Sequence, residues 1–260
     1  MTIERLALVS YLAPNSFWYY QEIAAYLERK LGMPTSIRQG NDPLTDRRLA
    51  QQQVDLTFIC GLPLVRFNQQ HAFKLKPIVA PVLQADRYSN QPVYFADVIV
   101  RSDSGMTEFE QLCGKVFCFN DLGSNSGYHL VKRHLAEQHY SPSFIAKEIP
   151  SGSHQTSIQW VIEGKADWAA IDSTMLEQEL RDRADLQQWI RVIQSIGPCP
   201  IPPIALSPNV PPELAQHIQD SLLNPDPQLQ LAMTRAGIRR YAPIALADYH
   251  VLTLESQGRL

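Results

Sequence analysis

Short apolar runs of strand type alternate with helical periods along almost the whole chain, and this alternation constrains the fold more than any other feature. It argues for an α/β protein rather than separate all-α and all-β parts. Strands are expected at Leu6 to Ser10, Thr35 to Arg38, Val54 to Ile59, Leu75 to Pro81 and Tyr94 to Val100. Five more follow at Val116 to Phe119, Ala146 to Ile149, Ala166 to Ile171, Trp189 to Ile193 and Ile201 to Leu206. Between the first two, Phe17 to Leu31 carries Ile23, Tyr26, Leu27 and Leu31 at helical spacing and stops at Gly32, a good residue to end a helix before Pro34. Late helices are expected after Pro211-Pro212, where Ile218 and Leu222 keep the period, over Leu229 to Ala236 before Gly237, and over Leu246 to Leu254.

No repeat, low-complexity stretch or Pro/Gly/Ser-rich linker cuts the chain into consecutive domains. Two segments read as crossings instead: Tyr94 to Val100 with the turn after it, and Ile193 to Pro203, which holds Pro198, Pro200, Pro202 and Pro203. They predict one discontinuous lobe, residues 1–96 and 196–260, with residues 97–195 inserted as a second lobe. Such a pair of crossings makes a hinge, with a ligand cleft expected between the lobes.

The 260 residues carry 23 basic and 26 acidic side chains in no long block of one sign, so nucleic acid and anionic membrane are not expected partners. No apolar run approaches the ~20 residues of a membrane helix, and a soluble chain is expected. Met1-Thr2-Ile3-Glu4-Arg5 has an acid where the basic region of a leader would sit, so no secretory signal is read in the chain as written. Cys60, Cys113, Cys118 and Cys199 are too sparse for a disulfide framework and read as scattered buried thiols. With no zinc-type spacing beside them, no metal is expected.

The most informative stretch, Cys118-Phe119-Asn120-Asp121-Leu122-Gly123-Ser124-Asn125-Ser126-Gly127-Tyr128, follows a strand and opens a helix running to about His139, with Ser124, Asn125 and Ser126 crowding the helix start. The free N–H groups and dipole of a helix start favour an anion, and Ser and Asn side chains add donors; the same residues also make an ordinary N-cap turn. Ser151-Gly152-Ser153-His154 repeats the arrangement after the strand Ala146 to Ile149, with His154 in the first turn as a donor to an oxyanion or as a local packing residue. Asp172 ends another strand, at the edge where α/β sheets bind ligands, and would meet an ammonium group or cap the helix from Ser173 to Leu180. Tyr94 offers a phenol and a ring at the first crossing. Motifs of catalysis are missing: Gly123-Ser124-Asn125-Ser126-Gly127 has Asn where a nucleophile elbow has Ser, and no Walker loop, G-x-G-x-x-G or H-E-x-x-H occurs.

Together these blocks resemble the phosphonate/phosphite/phosphate-binding proteins of ABC importers, a branch of the type II periplasmic binding proteins. Val98-Ile99-Val100-Arg101 through Gly114-Lys115-Val116 to Ser124-Asn125-Ser126-Gly127-Tyr128 is similar to one family pattern, and Ser151-Gly152-Ser153-His154 through Gly164 and Ala166-Asp167 to Ala169-Ala170-Ile171-Asp172-Ser173 is similar to the next. The resemblance implies a two-lobe fold, each lobe a mixed sheet flanked by helices, and a solute-binding protein that is not an enzyme and needs no cofactor. It also implies that Ser124, Asn125, Ser126, Gly127, Tyr128 and His154 hold a phosphonate-like head group, that Tyr94 lies beside it, and that Asp172 meets an amine. The chain departs from the pattern in having Asn125 for the usual central Thr and Phe58-Ile59-Cys60-Gly61 where a ligand-facing Tyr is common; Tyr11 is the candidate replacement. The expected partners are a small anionic ligand and an ABC permease, the protein itself a monomer. Two alternatives stay open: a cytosolic ligand sensor on the same fold, and an enzyme related to the thiamine-pyrimidine synthases. The resemblance implies a periplasmic or extracellular protein; the absent leader implies a cytoplasmic one if Met1 is the native start.

Overall fold

The computed structural model describes residues 3–252. Eleven strands are found among them: β1 Leu6–Ser10, β2 Thr35–Gln39, β3 Leu56–Phe58, β4 Lys76–Leu83, β5 Val93–Arg101, β6 Lys115–Phe119, β7 Ile145–Pro150, β8 Trp168–Asp172, β9 Ile190–Pro200, β10 Ile204–Leu206 and β11 Ile238–Pro243. The α-helices are α1 Phe17–Leu31, α2 Arg47–Ala50, α3 Gly61–Gln70, α4 Leu130–Glu137, α5 His154–Ile162, α6 Ser173–Asp182, α7 Leu186–Trp189, α8 Pro212–Leu223 and α9 Pro227–Arg235. Contacts divide the chain into two compact units, one of residues up to Val93 and from Pro200 onward, the other Tyr94–Cys199. Tyr94, Phe95 and Ala96 therefore go with the second unit, as the pairing of Ala96 with Asp172 requires.

In the first unit the sheet order is β11-β4-β10-β3-β1-β2. Strand β1 runs parallel to β2 and β3, and β10 and β11 run antiparallel to their neighbours. Helix α1 buries Ile23, Ala24, Tyr26 and Leu27, and Gly32 ends it in the left-handed region (φ 65°), its N–H donating to Glu28 O. Tyr26 Oη donates to Ser221 O (2.7 Å), fastening α1 to α8 through a buried bond. Around α3, the buried side chains Val9, Leu49, Leu62, Phe67, Leu75 and Tyr249 form a continuous cluster.

In the second unit the order is β7-β6-β8-β5-β9. Strand β6 is parallel to both β7 and β8, so the three end on the same edge of the sheet. Trp168, Ala169, Ala170 and Ile171 are all fully buried, as in a strand covered on both faces, and Trp168 stacks on Phe117 with ring centroids 4.3 Å apart. Residues flanking the strand ends thus converge at one edge, backed by a rigid aromatic core.

Several elements differ from expectation for local reasons. Trp189 belongs to α7, and the strand begins at Ile190 and continues through the proline-rich segment to Pro200. Strand β9 is an edge strand, the position in a sheet where prolines are tolerated. Strand β11 was not legible: a bulge between Ile238 and Arg240 puts Arg239 and Arg240 both in solvent and destroys the alternation. The helix expected over Leu246 to Leu254 is a 3₁₀ turn at Leu246–Tyr249 followed by helical Val251 and Leu252, its last two positions lying outside the described residues. Of the thiols, Cys118 and Cys199 are buried, Cys60 is half-buried and Cys113 is exposed, because it follows a surface 3₁₀ turn rather than facing a core. No helix among the described residues is long and apolar enough to cross a membrane.

Candidate functional site

The loops after β6 and β7 lie side by side at the shared sheet edge. Their backbones are joined by Ser151 N–H donating to Phe119 O (2.8 Å) and Gly152 N–H donating to Asn120 O (3.0 Å). Each loop then opens a helix. After β6 this is a single π turn, Asn125–His129, which passes directly into α4. Ser124 is its N-cap, its Oγ accepting from Gly127 N–H at 3.1 Å. A wide turn of this kind is uncommon and concentrates at functional sites. After β7, Ser153 caps α5 by accepting from Thr156 N–H (3.0 Å), and Gly152 supplies the left-handed residue before it (φ 89°). The cap reading is therefore correct for both serine-rich starts, and it leaves the buried Ser126 free of capping duty.

The two starts meet through side chains. Ser126 Oγ and His154 Nε2 are 3.3 Å apart, and His154 Nδ1 is buried without a partner among the described residues. Burial pushes the His154 pKa down to about 4, so the imidazole is neutral at physiological pH, with one donor and one acceptor nitrogen. Gly127 sits against both loops: a Cβ built there would fall 1.9 Å from Asn120 Oδ1 and 3.1 Å from His154 Cε1. Asn125 Nδ2 donates to Tyr94 Oη (2.8 Å), which brings β5 into the same cluster, while Asn125 Oδ1 is buried with no donor among the described residues. Asn120 Oδ1 is likewise buried without a donor among the described residues.

Asp172 stands at the end of β8 as the N-cap of α6, accepting from Thr174 N–H (2.8 Å) and Thr174 Oγ1 (2.7 Å). Burial nevertheless dominates and raises its pKa to about 6, with the carboxylate of Asp97 adding to the effect. Asp97 is itself buried and accepts from Ser195 Oγ (2.6 Å). Tyr128 packs on Phe119 and under Lys132, and burial and Glu148 raise its phenol pKa. Its side chain is thus engaged toward β7 and α4.

Tyr11, in the first unit, donates its hydroxyl to Asp46 Oδ2 (2.7 Å), and Arg38 binds the same carboxylate oxygen. Gly40 leaves the room that the Tyr11 ring occupies, since a Cβ there would be 2.4 Å from Tyr11 Cε1. Among the described residues no group of three or more His, Cys, Asp or Glu side chains could hold a metal ion.

The structure thus brings Tyr94, Asn125, Ser126, Gly127 and His154 together and engages Tyr128 and Asp172 with other partners of the same unit. Sequence reasoning missed Asn120. Its position directly after β6, at a ligand-bearing sheet edge, was a usable signal, but its approach to Gly127 is a packing fact.

Two α/β units, with helix starts meeting at one sheet edge of the second, are the frame of the molecule, and its family is shown directly by comparison. A family model for the periplasmic phosphonate substrate-binding proteins of ABC transporters matches residues 8–249, and the chain belongs to that family. Among solved structures, it is similar to the binding-protein component of an ABC phosphonate transporter of Pseudomonas aeruginosa, with TM-score 0.81 and 14% identity over 97% of this chain and 86% of that one. PhnD1 of Prochlorococcus marinus, solved with methylphosphonate, aligns with TM-score 0.80 and 12% identity over 99% of each chain. A Xanthomonas citri protein, solved bound to a chloride ion, aligns with TM-score 0.71 and 17% identity over 99% of this chain and 100% of that one. At these identities the structural likeness establishes the type II periplasmic-binding-protein fold. The family is one of ABC-transporter solute-binding proteins, which implies a small ligand and a permease partner.

Proposed function

We propose that this protein captures a small phosphorus oxyanion of the phosphonate class and delivers it to its permease as a monomer, without chemical turnover and without a nucleic-acid partner. The observation that carries this reading is the junction of the two helix starts, where Ser126 Oγ lies 3.3 Å from His154 Nε2 and the imidazole is neutral and buried. The N–H groups of Asn125, Ser126 and Tyr128, the Ser126 hydroxyl and the His154 N–H supply donors without a permanent positive charge, the Gly127 N–H being already given to Ser124 Oγ. Ser124 shapes the turn, Tyr94 holds Asn125 beside the ligand, and Asp172 serves a ligand amine. Tyr11 is the aromatic candidate from the first unit. Membership of a solute-binding family supports absence of turnover. The methylphosphonate complex of PhnD1 supports the choice of ligand class.

A thermal-shift screen against methylphosphonate, 2-aminoethylphosphonate, phosphite, phosphate, sulfate and small carboxylates tests the proposal, because a ligand bound only by the folded state raises the melting temperature. A selective rise with a phosphorus oxyanion is expected. No shift with any member of the panel would overturn it.

A further inference from the structure

Asn120 carries a constraint that a simple anion clamp does not explain. Its Nδ2 donates to Asp121 Oδ2 (3.1 Å), a carboxyl oxygen placed to accept, and this bond orients the amide with its nitrogen toward Asp121. The opposite end, Oδ1, is buried, lies against Gly127 beside His154, and has no donor among the described residues. Asn125 does not have this certainty, because its partner Tyr94 Oη can give or take a proton. A carbonyl oxygen beside an anion site repels a bare oxyanion oxygen and favours a ligand atom that bears hydrogen.

Resting on the reading above, we propose that Asn120 is a specificity-determining residue that reads the protonation state of the ligand. Its Oδ1 accepts the acid hydrogen of a singly protonated phosphorus oxyanion, P–OH···O=C. The site thereby favours a phosphonate monoanion over a sulfonate of the same shape and charge, which has no hydrogen to give. No bond to phosphorus forms or breaks; the discrimination is a hydrogen bond made to one ligand and a lone-pair clash with the other.

The test is calorimetric titration at pH 5.5 with methylphosphonate and methanesulfonate, both monoanions there, against the wild type, Asn120→Ala and Asn120→Asp. The wild type is expected to bind methylphosphonate about tenfold or more tightly than methanesulfonate, the discrimination one buried hydrogen bond supplies. Asn120→Ala should lose affinity for the phosphonate selectively and bring the two ligands within about threefold of each other. Asn120→Asp, which keeps an acceptor, should retain the preference. Equal binding of both ligands by the wild type, or equal loss of both in Asn120→Ala, would overturn the inference while leaving the oxyanion-binding function intact. Binding of neither ligand by the wild type would overturn the inference, and the oxyanion reading would then stand or fall with the wider panel. The wild-type ratio decides the point even where a variant folds poorly.

Discussion

Gly127 and Asn120 are fitted to each other: the space a side chain would take at Gly127 is filled by Asn120 Oδ1, 1.9 Å from where a Cβ would stand. Gly127→Ala must therefore push the Asn120 amide out or distort the π turn, at a cost of roughly 1–3 kcal/mol of stability. Thermal denaturation of Gly127→Ala and of the double variant with Asn120→Ala checks this. The double variant should recover most of the loss, and no recovery would locate the strain elsewhere.

Ser126→Ala and His154→Ala should each weaken methylphosphonate binding while the protein remains folded. Each removes a hydrogen bond to a charged ligand, roughly 1.5–3 kcal/mol, or about tenfold to a hundredfold in Kd. Calorimetry with circular dichroism as the folding control reads the effect. Unchanged affinity in both variants would remove the junction of the two helix starts from the binding site.

Two buried groups act on stability in opposite directions across the same pH window. His154 takes up a proton near 6.5 when unfolded and only at about 4 when folded, so its contribution is lost as pH falls from 6.5 toward 4. Asp172 releases its proton near 3.8 when unfolded and at about 6 when folded, so its contribution is lost as pH rises from about 4 to about 6. Melting temperatures between pH 3.5 and 7 should show His154→Gln losing less stability than the wild type on acidification. Asp172→Asn should lose less on the way up. Parallel profiles for all three proteins would mean that neither group is desolvated.

Asp172 also has separable capping and recognition roles. Asp172→Ala should cost about 1 kcal/mol through the lost cap of α6, whereas Asp172→Asn keeps an acceptor for Thr174 and most of that stability. In Asp172→Asn, affinity for 2-aminoethylphosphonate should fall more than affinity for methylphosphonate. Equal changes would mean that the carboxyl is a cap alone.

Tyr11→Phe should lower stability by roughly 1.5–3 kcal/mol, since its hydroxyl donates to the Asp46 carboxylate, which Arg38 also binds. Titration with methylphosphonate should then show Kd unchanged within about twofold. A larger loss would put the phenol on the ligand as well as on Asp46.

The amino-acid sequence by itself determined the α/β class, ten of the strands and the serine-rich helix starts, because strand and helix periods and helix-capping residues are written in local composition. Trp168 to Ile171 reads as a covered strand from composition alone, whereas Ser151 to His154 left a local role and an anion site both open, and only the structure shows Ser153 as the cap. Strand β11 escaped because its bulge is set by pairing with β4. The partners within the candidate site escaped for the same kind of reason. Ser126 and His154 are 28 positions apart and meet only because β6 and β7 run parallel and end together. The bare oxygen of Asn120 exists only because Gly127 packs on one side of the amide and Asp121 holds the other. Distances between residues remote in the chain, and the desolvation that sets the pKa of His154 and Asp172, are properties of packing, and tertiary structure alone decides them.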